Sequence, residues 1–303
     1  MKICHLKTVA GITCSAVILA VAMISPTAPL AAEAPIAAAS VSSTAPGILT
    51  EKKGKVTIDY SNSSQGYVMV NYNDKDVKLK VRITGPATTY TYDLHAGKWE
   101  AFPLSEGDGN YVISVFRCVD GKRYVSEASK TVSAVLVSEK IPFIHSNQFV
   151  DFDNAPNTKA KASELTAGLT TELEKVAAVY DFVVTGFTYD YQLANTVQSG
   201  YIPVLDTILE AKKGICFDYA SIMTGMLRSQ GIPTKLVIGY AGTVYHAWIS
   251  IWVEGQGWID QAIYFDGTQW KRMDPTFAST SNRSNLIMEY INNDANYSVR
   301  YCY

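Results

Sequence analysis

The stretch that decides the fold reads Lys213-Gly214-Ile215-Cys216-Phe217-Asp218-Tyr219-Ala220 and continues to Leu227-Arg228-Ser229-Gln230-Gly231-Ile232-Pro233. The spacing predicts a helix over residues 216–230, with Gly231 as a left-handed C-terminal cap and Pro233 barring continuation. Cys216 therefore opens a helix. The free N–H groups and the dipole of a helix N-terminus favour an anion, so a thiolate is stabilised there. The same N–H groups suit an oxyanion formed next to that sulfur. Gly214 permits the close backbone approach that the entering turn needs. Taken alone, Cys216 reads more readily as a small buried apolar residue, a common state for cysteine.

Downstream, the pattern is β over residues 236–240, 244–253, 258–263 and 269–273, with Asp266-Gly267 as a hairpin turn signal. Alternation places His246, Trp248, Ser250 and Trp252 on one face of their strand, and Ala247, Ile249, Ile251 and Val253 on the face toward the helices. A thiol that works near neutral pH needs a base or imidazolium partner, and His246 is suited to that role. It reads otherwise as an ordinary strand histidine. Asp274, in Met273-Asp274-Pro275-Thr276, follows the last strand. A carboxylate there suits the second imidazole N–H, whereas an isolated Asp-Pro is usually a turn. Asp260, in Trp258-Ile259-Asp260, is the rival orienter.

Upstream, Thr171-Glu172-Leu173-Glu174 resembles a capping box, followed by Val176, Val179, Tyr180, Val183 and Phe187 at helical spacing. Leu205, Ile208 and Leu209 suggest a short helix ending near Gly214. Helices followed by neighbouring strands predict an α+β domain over residues 163–303. Residues 141–162, with Pro142 and Pro156, read as a connector. Short β-branched and aromatic runs at 56–60, 67–72, 77–83, 89–94, 111–116 and 131–137 lie between turn residues. They predict an all-β immunoglobulin-like sandwich over residues 51–140. Residues 35–50, rich in Ala, Ser, Pro and Thr, read as a flexible linker.

The chain starts with Lys2 and Lys7, an apolar run over residues 8–24, a break at Ser25-Pro26 and a small-x-small site at Ala32-Glu33-Ala34. This order reads as a signal peptide over residues 1–34. The rival is an uncleaved anchor, against which the shortness of the run and Gly11, Thr13 and Ser15 weigh. The expected location is secreted or cell-envelope associated, with no stable membrane span after cleavage. Cleavage would leave Cys118, Cys216 and Cys302, too few for the disulfide framework of a small secreted domain.

Composition narrows the class. With 48% hydrophobic and 18% charged residues the chain is not disordered. A formal net charge of -2 gives no basic excess, so no nucleic-acid partner is expected. There is no HExxH, no paired CxxC and no glycine-rich phosphate loop, so neither metal nor cofactor is expected.

Together these residues carry a resemblance. Residues 200–277 resemble the transglutaminase-like superfamily of papain-type cysteine enzymes. The matching stretches are those quoted around Cys216 and Gly231, then Val237-Ile238-Gly239-Tyr240, His246-Ala247-Trp248 and Asp274-Pro275-Thr276. Phe187-Thr188-Tyr189-Asp190 is similar to the family's segment before the core. The resemblance implies a papain-like core of helices packed on an antiparallel sheet, and a catalytic triad of Cys216 as nucleophile, His246 as base and acid, and Asp274 as orienter. Tyr189 and Trp248 are expected to bind substrate or the oxyanion. An extra hairpin over residues 261–269 departs from the family's pattern and keeps Asp260 as a rival to Asp274. The expected activity is that of a peptidase or amidase acting on a protein or peptide, such as a cell-wall peptide or surface protein. The alternatives are a protein-glutamine gamma-glutamyltransferase and a non-catalytic surface-binding protein.

Overall fold

The computed structural model describes residues 42–259, 264–265, 270–271 and 293–303. The expectations for residues 1–41, Asp260, Asp266-Gly267 and Asp274 lie outside them.

In the first half, alternating apolar residues build two antiparallel sheets. The strands are β1 (Thr50–Lys53), β2 (Val56–Asp59), β3 (Tyr67–Tyr72), β4 (Lys78–Thr84), β5 (Thr89–His95), β6 (Trp99–Pro103), β7 (Gly109–Cys118) and β8 (Tyr124–Ala134). They pair in the orders β1-β2-β3-β6 and β5-β4-β7-β8. In β4 the period of two is plain: Leu79, Val81 and Ile83 are buried while Lys78 and Arg82 are exposed. Val56, Ile58, Val68 and Val70 of one sheet and Leu79, Val81, Ile113 and Val115 of the other belong to a single apolar core.

The stretch read as a connector is part of that core. Ile141, Phe143, Ile144, Val150 and Phe152 are all buried. Helix α1 (Pro156–Thr166) begins within it. The apolar pattern misses this helix because its buried face is made of Thr158, Ala162 and Thr166, which are small or polar. Pro156 sits in the first turn, where its missing N–H costs nothing. The N–H groups of Asn157 and Thr158 donate instead to Asp206, at 3.1 and 2.8 Å.

Helix α2 (Glu172–Gly186) has the expected capping box, with Glu174 N–H donating to Thr171 Oγ1 at 3.2 Å and Thr171 N–H to Glu174 Oε2 at 3.0 Å. Strand β9 (Thr188–Tyr189), helix α3 (Tyr191–Thr196), helix α4 (Leu205–Ala211) and strand β10 (Lys213–Gly214) follow, and then helix α5 (Cys216–Ser229). The remaining strands are β11 (Thr234–Ala241), β12 (Val244–Val253), β13 (Gly257–Ile259), β14 (Tyr264–Phe265), β15 (Trp270–Lys271) and β16 (Tyr297–Cys302). An antiparallel sheet in the order β13-β12-β11-β16 carries α5 against β11 and β12. Sequence reading assigned no strand at β16, where Ser298, Val299 and Arg300 are all exposed and leave no apolar alternation.

Helix α5 is buried from Asp218 to Arg228. Arg228, 0% exposed, closes its far end. Its guanidinium donates to the backbone carbonyls of Thr234 (2.8 Å), His145 (2.7 Å) and Tyr303 (2.6 Å), joining α5 to β11, the connector and the end of β16. Burial lowers its pKa to about 9, so it remains charged at neutral pH. Gly231, at φ 79°, supplies the left-handed turn after the helix, a conformation that favours glycine.

Candidate active site

Cys216 is positioned by a short parallel ladder in which Thr188 pairs with Lys213 and Tyr189 with Gly214. Thr188 N–H donates to Lys212 C=O at 2.9 Å, and Asp190 N–H to Gly214 C=O at 2.8 Å. This fixes the chain two residues before the cysteine and sets Tyr189 beside it. The Ile215 N–H donates to Asp218 Oδ2 at 2.9 Å, which turns the chain into α5. A Cβ on Gly214 would lie 2.5 Å from the Asp218 Cβ, so the glycine is required by space. The first helical bond runs from Tyr219 N–H to Ile215 C=O (3.0 Å), so the N–H groups of Cys216, Phe217 and Asp218 precede the ladder.

Asp218 is 1% exposed. Desolvation raises its carboxyl pKa, against the lowering effect of the Ile215 N–H and the Tyr201 hydroxyl. Sequence reading quoted Asp218 and gave it no role. An acidic residue three positions after the helix-entry residue is the signal that could have marked it.

His246 lies on β12 opposite Gly239 of β11 and is 4% exposed. A cavity of about 630 Å³ is lined by Cys216, His246 and Tyr189 together. Its other walls include residues 197–202 and three residues of strands β4 and β5, Lys80, Thr91 and Asp93. The volume falls in the range of small-ligand sites. Burial, and secondarily the nearby Cys216, raise the Tyr189 phenol to about 12, so it stays a hydrogen-bond donor at neutral pH.

Trp248 needs a correction. It is 2% exposed and is not part of the cavity lining. Its ring stacks on His246 at 6.3 Å and meets the Tyr297 ring edge-on at 5.2 Å. A Cβ on Gly239 would fall 2.8 Å from the indole and 2.0 Å from the Ser298 carbonyl oxygen. The indole therefore fills the space that Gly239 leaves, and it supports the imidazole from within the sheet. Asp274 and its rival Asp260 are outside the described residues. Among those residues no group of three or more His, Cys, Asp and Glu side chains could hold a metal ion, and Cys118 and Cys216 are free thiols.

Comparison with known proteins adds to this geometry. The model of the family "Transglutaminase-like superfamily" matches residues 159–275. The chain is 25% identical over 215 residues to "Uncharacterized protein YebA" of Bacillus subtilis (strain 168), covering 62% of this chain and 28% of that protein. It is 30% identical over 119 residues to a "Protein-glutamine gamma-glutamyltransferase" of Pseudomonas aeruginosa, covering 34% of this chain and 17% of that protein. The chain thus spans less than a third of the length of these curated relatives. The solved periplasmic domain of TgpA from Pseudomonas aeruginosa, bound to ethylmercury, is 16% identical, covering 77% of this chain and 99% of that one with a TM-score of 0.36. Residues 159–275, which hold both the cysteine and the histidine of the cavity, belong to the transglutaminase-like superfamily.

Proposed function

We propose that the protein is an exported cysteine-dependent enzyme that transfers acyl groups from amide bonds of proteins or peptides. One observation carries this reading: the sulfur that opens α5 and the imidazole of β12 line the same cavity. In the proposed reaction the Cys216 thiolate attacks the amide carbonyl carbon, and the electron pair moves onto oxygen. The N–H groups at the start of α5 and the Tyr189 hydroxyl stabilise that oxyanion. As the carbonyl re-forms and the C–N bond breaks, His246 gives its proton to the departing amine, leaving a thioester. Water activated by His246 then releases the acid, which makes the enzyme a peptidase or amidase. Asp274 is assigned to hold the imidazole.

A second reading, transfer of the acyl group to an amine, is favoured by the name of the Pseudomonas aeruginosa relative. The two differ only in the acceptor admitted to the thioester. Export is supported by the basic start, apolar run and small-x-small site of residues 1–34. Among the described residues no helix is long and apolar enough to cross a membrane. The two N-terminal sheets are assigned to an immunoglobulin-like sandwich over residues 51–140, on their antiparallel pairing and common core.

The test is alkylation by iodoacetamide at mildly acidic pH. Cys216 is expected to react faster than a model thiol and faster than Cys118 or Cys302, with Cys216→Ala abolishing turnover. Ordinary reactivity at Cys216 would leave the non-catalytic binding reading. Scoring amine incorporation against cleavage separates transferase from hydrolase.

A further inference from the structure

Strand β5 lies at the edge of its sheet, and its outward backbone groups are already hydrogen-bonded at Asp93 and at the N–H of His95. Asp93 donates its N–H to Gln148 Oε1 at 3.0 Å and accepts at its C=O from Gln148 Nε2 at 2.8 Å. His95 donates its N–H to Glu100 Oε2 at 2.8 Å. These bonds fix the parity of the strand. Asp93 faces Lys80 across β4 and β5 with its own N–H and C=O turned away from β4. Their side chains meet on the same rung, at 2.7 Å between Lys80 Nζ and Asp93 Oδ1. Thr91, two residues back and opposite Arg82, turns its N–H and C=O to the same free edge.

Thr91 is exposed and lines the cavity that holds Cys216 and His246. Among the described residues no hydrogen bond engages its outward N–H or C=O. The neighbouring position on this edge shows what such a rung accepts. The Gln148 carboxamide takes an N–H and gives an N–H to one residue, as an extended peptide would.

We propose that the free edge of β5 at Thr91 is a binding site for substrate backbone, on which an extended polypeptide adds as a further strand and runs on toward Cys216. This rests on the acyl-transfer reading and names its substrate class. The occupant is an unfolded or extended segment of chain, recognised by its peptide groups, since strand addition draws affinity from main-chain hydrogen bonds. The N-terminal sheet then serves as one jaw of the cleft, and small amides lacking flanking peptide groups lose this contact.

The probe is a blocked octapeptide with a chloroacetamide on a central side chain, compared with bare chloroacetamide; the readout is the ratio of their alkylation rates at Cys216, by mass spectrometry. The octapeptide is expected to react more than about tenfold faster in the full chain. Two further octapeptides are N-methylated at alternate residues, one in each phase. One phase is expected to lose about three- to tenfold of the ratio and the other to keep it. Thr91→Pro deletes the outward donor without touching a bond to β4, because proline is tolerated where the N–H of an edge strand faces away from the sheet. It is expected to lower the ratio by the same factor. The inference is overturned if the octapeptide has no advantage, if both N-methylated phases keep it, or if folded Thr91→Pro keeps it. Failure of the acyl-transfer reading is separate: bare chloroacetamide would then label Cys216 no faster than a model thiol.

Discussion

Tyr201 donates its hydroxyl hydrogen to Asp218 Oδ1 at 2.8 Å, which ties the segment walling the cavity to the third residue of the helix that Cys216 opens. The other oxygen of the same carboxyl accepts from Ile215 N–H. One buried side chain thus holds both the wall and the turn that presents Cys216. Tyr201→Phe would leave a buried carboxyl oxygen without its donor. We expect a loss of about 1–3 kcal/mol in unfolding free energy, read from urea midpoints at constant m-value.

Asp218 also links stability to pH. Burial raises its pKa above the ordinary 3.8, so over the interval from 3.8 up to its folded value the native chain holds a proton that the unfolded chain has released. The contribution is fully present below 3.8 and is lost as pH rises through the folded value. Unfolding free energy should therefore contain a component that declines with pH above 3.8, and Asp218→Asn should remove that component whatever its effect on overall stability. Urea titrations of both proteins between pH 4 and 7, at fixed ionic strength, measure it. Equal slopes for the two would show that Asp218 does not titrate differently on folding.

Gly214→Ala tests the turn from the other side. Its new Cβ would lie 2.5 Å from the Asp218 Cβ, an overlap that neither a side-chain rotation nor solvent can relieve. Overpacking of this kind costs about 1–3 kcal/mol. Because the clash is with the residue that shapes the start of α5, the alkylation rate of Cys216 is expected to fall along with the urea midpoint. A fall in midpoint with an unchanged rate would separate the helix start from the reactivity of the sulfur.

Arg228 illustrates how much of the architecture was legible and how much was not. The sequence around it marked the helix, its glycine exit and the strand that follows, because apolar spacing and the Gly-x-Pro ending are local signals. The strands β3 and β4 and the capping box at Thr171 were legible for the same reason. What Arg228 binds was not. Its acceptors on His145, Thr234 and Tyr303 come from three places in the chain, and backbone carbonyls have no sequence signature. Helix α1 was hidden because its inner face is Thr, Ala and Thr, and β16 because Ser298, Val299 and Arg300 in its middle are all exposed and break the alternation. Within the site, Cys216 and His246 were readable from helix start and strand alternation, whereas Thr91 reaches the cavity through sheet order. Replacing Arg228 by leucine would take a charged donor from three buried carbonyls, of which that of Tyr303 still accepts from Leu236 N–H. We expect about 3 kcal/mol or more of destabilisation, with Arg228→Lys recovering part of it through the donors it can still supply.

Tyr189 offers a test of the oxyanion assignment that general damage to the site would not reproduce. Its phenol is raised to about 12, first by burial and then by the neighbouring Cys216, so it keeps its proton through the neutral range. Amide cleavage passes through a tetrahedral oxyanion, where a fixed donor is worth far more than in the ground state. Alkylation by iodoacetamide displaces iodide at a saturated carbon and forms no such anion. Tyr189→Phe should therefore slow turnover of an amide substrate by about ten- to a hundredfold, mostly in kcat, while the alkylation rate of Cys216 stays within about twofold. Equal losses in both reactions would mean that the hydroxyl acts on the sulfur or merely on packing. No loss in either would move the oxyanion donors entirely onto the backbone N–H groups at the start of α5.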